Sequence, residues 1–215
     1  MPGLQPFLQQ NNTICYSGVM RYLILFLLSS TLFGSPALDR LIEGNKRFVS
    51  GNLEHPNRDQ ERRDVTAYTQ KPFATILACA DSRLAPEIIF DQGLGDLFVV
   101  RVAGNVVGSL TKESIDYAAL ALQTEILVIL GHERCGAIEA VMKDNTTLIP
   151  TTAILIDPAV QKYRDNLEMA TKQNALNMNA LLQRSASLGE VIREGKLEVV
   201  SAYYNLSTGE VEILN

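Results

Sequence analysis

Apolar residues along this chain fall into two alternating patterns. Phe73-Ala74-Thr75-Ile76-Leu77-Ala78, residues 97–102 and Glu125-Ile126-Leu127-Val128-Ile129-Leu130 are short runs, apolar at nearly every position, as strands buried on both faces are. Residues 197–204 and 210–214 are two further strand-length runs, joined by a hairpin-length connection containing Gly209. Between the runs the spacing turns helical. Leu38, Leu41, Ile42, Phe48 and Val49 mark an amphipathic helix ending near Gly51. Residues 111–122, with Thr111 as cap, and residues 136–142, 158–185 and 188–194 read as helices too. Pro86 to Phe90 suggests a short helix, and Gly93 and Gly95 a turn. Residues 52–71 read as a polar surface loop with a helical turn in it, and 145–157 as a second loop. Strands alternating with helices predict an α/β fold: a mainly parallel central sheet of about five strands flanked by helices, with an antiparallel C-terminal edge strand.

The first 37 residues stand apart. Arg21 precedes a wholly apolar run at 22–28, extended weakly through Phe33, and Ser35-Pro36-Ala37 follows. A positive residue, an apolar stretch and small residues in that order read as a signal peptide. The chain therefore divides into a leader, 1–37, and one domain, 38–215. The expected location is periplasmic or otherwise exported; a buried N-terminal helix in a cytoplasmic protein is the alternative. The apolar run is too short to cross a bilayer comfortably, so the mature chain is expected to have no membrane span.

Composition narrows the chemistry. The 215 residues are enough for one sizeable core, and 47% hydrophobic with 20% charged residues is an ordinary globular balance. A net charge of −5 and the absence of any basic run interleaved with aromatics argue against a nucleic-acid partner. There are only three cysteines and two histidines, too few for a disulfide framework in a chain this long.

Three of those five residues fall at strand ends. The first strand runs into Cys79-Ala80-Asp81-Ser82-Arg83, and the third into Gly131-His132-Glu133-Arg134-Cys135-Gly136. Open α/β sheets carry their chemistry at the carboxyl ends of strands. Cys79, His132 and Cys135 are thus expected to hold one metal ion. Thiolate and imidazole favour zinc, and three protein ligands leave a fourth position open, the arrangement of a catalytic rather than a closed site. Asp81 can accept a hydrogen bond from water in that position. Arg83 can keep Asp81 ionised and off the metal. His55, in the polar loop, and Cys15, in the leader, receive no role. Gly93-Leu94-Gly95 follows a helix and lacks a third glycine, which excludes a dinucleotide loop. Cys-x-x-Cys and a nucleophile elbow are also missing.

Those two motifs, in this order and some fifty residues apart, resemble β-class carbonic anhydrases. The resemblance covers residues 38–215 and includes Gly44-Asn45-Lys46-Arg47-Phe48, Arg101-Val102-Ala103-Gly104-Asn105 and the closing stretch from Tyr204 to Val211. It implies Zn²⁺ on Cys79, His132 and Cys135, a gating dyad of Asp81 and Arg83, and reversible hydration of carbon dioxide to bicarbonate and a proton by zinc-bound hydroxide. Gln70, Phe98 and Tyr117 match the substrate pocket of the plant-like branch, with Gly136 a further substrate-binding residue. The family is built from dimers that share pocket residues across the interface, so a homodimer or higher even oligomer is expected. Glu133 and Arg134 are bulkier and more charged than is usual in the family. Hydrolysis of carbonyl sulfide or carbon disulfide on the same fold is an alternative reading. A catalytically silent zinc-binding interaction protein is another.

Overall fold

The computed structural model describes residues 35–214, so all of the leader but its last three residues lies outside them. Five strands make one sheet in the order β2-β1-β3-β4-β5. They are β1 (Ala74–Ala78), β2 (Leu97–Arg101), β3 (Ile126–His132), β4 (Glu198–Tyr204) and β5 (Val211–Leu214). The first four pair in parallel, and β5 runs antiparallel to β4 at one edge. Every residue of β1 and β3 is buried, which is why their sequences are apolar runs rather than alternations. At the opposite edge, β2 is only partly covered along its length.

Helices cover the sheet. They are α1 (Pro36–Ser50), α2 (Gln60–Thr66), α3 (Pro86–Ile89), α4 (Ser109–Asp116), α5 (Gly136–Met142), α6 (Pro150–Lys162), α7 (Leu167–Gln183) and α8 (Gly189–Arg193). Helix α1 shows why this sequence folds here. Ser35 caps its first turn, accepting from the Leu38 N–H, and Pro36 sits in that turn, where its fixed φ fits and no N–H is needed. Gly51, at φ +73°, ends the helix in the left-handed conformation that glycine adopts without strain. Midway along, a Cβ on Gly44 would lie 1.8 Å from the Phe90 carbonyl oxygen, so only glycine lets α1 approach this closely. The neighbouring Asn45 uses the closeness. Its amide donates to the carbonyls of Ile89 and Gly209 and accepts from the Val211 N–H, tying α1 to the end of α3 and to the β4–β5 turn.

Three sequence expectations are corrected. The helix read at 111–122 begins at Ser109 with Gly108 before it, so Thr111 is not its cap. It also changes form: Tyr117–Ala121 is a π turn continuing α4. Second, residues 150–157 are not loop. They begin α6, because Pro150 occupies its first turn and Pro158 is tolerated inside it. The buried face of Ala153, Ile156, Ala159 and Val160 supplies packing that offsets the hydrogen bond Pro158 cannot make. The pattern at 158–185 is accordingly two helices, α6 and α7, rather than one. Third, α1 starts at Pro36, two residues before the Leu38 that opens the helical pattern, and Ala37 is buried in the core.

Candidate metal centre

Strand order determines where a site can form. From β1 the chain crosses to β2 on one side, then to β3 on the other, so the carboxyl ends of β1 and β3 flank a topological switch point. Ala78 pairs with Leu130 in that ladder. One residue beyond the pairing, β1 delivers Cys79, and β3 ends in His132. Cys135 closes the loop that follows β3 and precedes α5.

The sulfurs of Cys79 and Cys135 and a ring nitrogen of His132 lie within 4.8 Å of one another, and all three residues are buried. The two cysteines are free thiols despite their proximity. His132 Nδ1 lies 2.9 Å from the Glu133 carbonyl oxygen, while Nε2 is buried with no hydrogen-bond partner. A buried polar nitrogen left bare is costly unless something binds it. Two sulfurs and a bare imidazole nitrogen form a donor set that suits a soft-to-borderline divalent ion, zinc above all.

The thiols are electrostatically prepared. The neighbouring Cys135 thiol, against an opposing effect of burial and helped by His132 and the Gly104 N–H at 3.3 Å, holds the Cys79 thiol well below the usual thiol range. Cys135, beside the Cys79 sulfur and more deeply buried, is pushed the other way. Gly104 reaches Cys79 with φ +69°, and a Cβ there would lie 2.7 Å from Ile156 Cδ1. Its carbonyl is in turn held by the Asn174 amide of α7 at 2.9 Å.

Asp81 lies beside the donor set, with Oδ2 4.0 Å from His132 Nε2. Arg83 grips it twice, Nε to Oδ1 at 2.9 Å and Nη2 to Oδ2 at 2.7 Å, and the Arg83 N–H adds a third bond to Oδ1. The guanidinium holds the Asp81 carboxyl well below the usual carboxylate range, against an opposing effect of burial. Arg101, which carried no role beyond its motif, proves structural to this loop: its guanidinium donates to the carbonyls of Cys79, at 3.1 Å, and Asp81, at 2.7 Å. Gly104, Asn174 and Arg101 are contacts between distant segments, and no spacing within the sequence signals them.

The other expected pocket residues stand elsewhere in the chain. Phe98 is level with Thr75 in the β1–β2 ladder, four residues short of Cys79, which is ~13 Å along a strand. Tyr117, half exposed at the start of the π turn, sits against Phe98 with ring centroids 6.2 Å apart. Gln70 is exposed in the loop leading into β1, at the same end of the sheet as Phe98. Gly136 does adjoin the donor set, in the first turn of α5, and a Cβ there would meet open space. His55 is a loop residue at φ +51° whose N–H is bound by Asp91.

A Cys–His–Cys donor set at a sheet switch point, with an ion-paired carboxylate at its side, defines a zinc-type metalloenzyme centre in an α/β fold. The carbonic anhydrase family model matches residues 74–211, which hold every residue of that centre. A protein named carbonic anhydrase 2 from Mycobacterium tuberculosis is 40% identical over 180 residues, spanning 79% of this chain and 87% of that protein. A carbonic anhydrase from Mycolicibacterium smegmatis is 35% identical over 184 residues, spanning 80% and 89%. Among solved structures, the β-carbonic anhydrase CcaA superposes with a TM-score of 0.66 at 24% identity, over 83% of this chain and 95% of that one. Two tetrameric β-carbonic anhydrases from Sordaria macrospora are represented at a TM-score of 0.65, 22% identity, over 69% and 83%. This chain belongs to the carbonic anhydrase family, and its fold is that of the β-carbonic anhydrases.

Proposed function

We propose that Cys79, His132 and Cys135 are the zinc ligands of this carbonic anhydrase and that Asp81 and Arg83 are its catalytic dyad. The observation that carries the assignment is the bare, buried Nε2 of His132 facing two thiols, with an ionised carboxylate 4.0 Å away. Zinc held there supplies the Lewis acidity that makes water a nucleophile toward carbon dioxide near neutral pH. The chain's own groups do the rest. Asp81, ionised and acceptor-only, orients the attacking water through a hydrogen bond. Arg83 keeps that carboxylate charged and turned toward itself rather than toward the donor set. Bicarbonate leaves, and the proton passes to buffer. The test is stopped-flow hydration of carbon dioxide by chain loaded with one zinc. A rate no faster than buffer, with zinc bound, overturns the assignment.

We further propose a plant-like pocket shared between subunits. Within one chain, Gln70, Phe98 and Tyr117 sit at the far end of the strands from Cys79, so they serve a metal centre only if it belongs to another copy. The edge strand β2 supports this. It is partly uncovered, and Leu94, near Leu97, and Tyr117, against Phe98, are exposed beside it. An uncovered edge invites pairing with a second copy. Antiparallel pairing of two β2 edges would bring the partner subunit's Phe98 end toward the Cys79 end of this chain. The tetramers formed by the Sordaria macrospora proteins are in keeping with an even oligomer. Carbon dioxide is preferred to carbonyl sulfide as substrate because the relatives with the highest identity are named carbonic anhydrases. Export through the leader rests on the residue order around 22–37 alone. N-terminal sequencing of protein from its native host tests it, and an intact leader on the functional protein sinks it.

A further inference from the structure

We propose that Glu133 is a positioning residue for the metal centre, latched by Ser207 of the β4–β5 turn. The inference rests on the zinc assignment of His132 and Cys135. Only Glu133 and Arg134 separate those ligands, and they must turn the chain from β3 into α5 so that both ligands face one point. The turn puts Arg134 at φ +53°, a left-handed conformation that side-chain-bearing residues rarely adopt. Such a turn persists only where its surroundings hold it.

Glu133 is where the holding converges. Its N–H donates to the Tyr204 carbonyl at 2.9 Å, extending the β3–β4 ladder past His132. Its Oε2 accepts from Ser207 twice, from the hydroxyl at 3.1 Å and from the N–H at 3.2 Å. That N–H is shared with Asn205 Oδ1 at 2.8 Å, so the hydroxyl is the cleaner link. The Asn205 amide oxygen also accepts from Thr208, which makes the turn a firm anchor. On the other flank, the Arg134 carbonyl accepts from Arg83 Nη2 at 3.3 Å. Glu133 Oε1 faces Arg134 Nε at 3.7 Å.

The latch matters because of what the Glu133 backbone does. Its carbonyl oxygen, 2.9 Å from His132 Nδ1, is placed to accept a hydrogen bond from an N–H at that nitrogen, which leaves Nε2 bare for a metal. A partner of this kind fixes ring orientation and tautomer, and losing one typically costs ~10–100-fold in metal affinity. Here the side chain of the same residue is pinned to a turn more than seventy positions away. Ser207 thereby reaches the imidazole through Glu133, without touching it.

The experiment compares full-length parent, Ser207→Ala, Ser207→Thr, Glu133→Ala and Glu133→Gln. Zinc affinity is measured by chelator competition, the absorption of the cobalt(II)-substituted protein is recorded, and Tm is followed alongside. Ser207→Ala and Glu133→Ala should weaken zinc ~10-fold or more and alter the cobalt bands. Ser207→Thr and Glu133→Gln keep an acceptor–hydroxyl pair and should stay near parent. Parent-like affinity and cobalt bands in both alanine variants overturn the latch, even if Tm falls, since a hairpin anchor alone would lower only Tm. A parent chain that binds no zinc overturns the ligand assignment and the latch together. A parent that binds zinc and hydrates carbon dioxide, beside unaffected variants, overturns the latch alone.

Discussion

Asp81 is the residue on which the proposed chemistry turns. Its three bonds from Arg83 use both carboxylate oxygens, and they hold it charged well below the usual carboxylate range. Because its pKa is lowered on folding, its ionised form stabilises the fold at any pH above the unfolded value of about 3.9. That contribution is lost as pH falls through the folded value, so the pair is intact throughout the neutral and alkaline range. Asp81→Asn keeps the shape and removes the charge. It should retain one zinc per chain while hydration falls by about 10²–10⁴-fold, the share a positioned proton acceptor usually supplies. Zinc analysis with a stopped-flow assay checks both halves, and full activity in the variant removes the dyad from the mechanism.

At the scale of elements, the site depends on α1 being pressed close. Gly44 and Asn45 hold that helix against Phe90, Ile89 and the turn that carries Gly209, and the same turn presents Ser207 to Glu133. Asp91 reinforces the contact from the other end of α1. Burial opposes its ionisation, but the Arg47 guanidinium at 2.7 Å and the N–H groups of Glu54 and His55 hold its pKa below the usual range. Gly44→Ala would drive a Cβ into the Phe90 carbonyl. It should destabilise the domain by about 1–3 kcal/mol, the cost of forcing extra volume into a packed contact. Urea unfolding measures this, and an unchanged midpoint would mean that α1 is free to move away.

For the whole molecule, the decisive property is that one chain places the proposed metal donors and Gln70, Phe98 and Tyr117 at opposite ends of its sheet. A mixed oligomer tests the sharing directly. Cys135→Ala should lose zinc yet keep Gln70, Phe98 and Tyr117; Gln70→Ala should keep zinc yet lose a pocket group. Each homo-oligomer should be poorly active. Co-expression should restore activity, because a mixed pair contains one complete centre. Activity no greater than the sum of the separate variants would assign each pocket to a single chain.

The sequence by itself determined the sheet and the candidate donors. Short, nearly continuous apolar runs at 73–78 and 125–130 read as strands buried on both faces, and ligands placed just beyond them gather where those strands end. Local spacing could not reveal that Pro150 starts a helix and Pro158 is kept within one, because packing of the buried face of α6 outweighs the intrinsic preference of proline. Tertiary structure alone decided which residues stand behind the donors. Arg101 on the Cys79 loop, Asn174 behind Gly104 and Ser207 on Glu133 are hydrogen bonds between segments remote in sequence. A hydrogen bond between remote segments has no period to read, so these contacts exist only once the sheet has set its register.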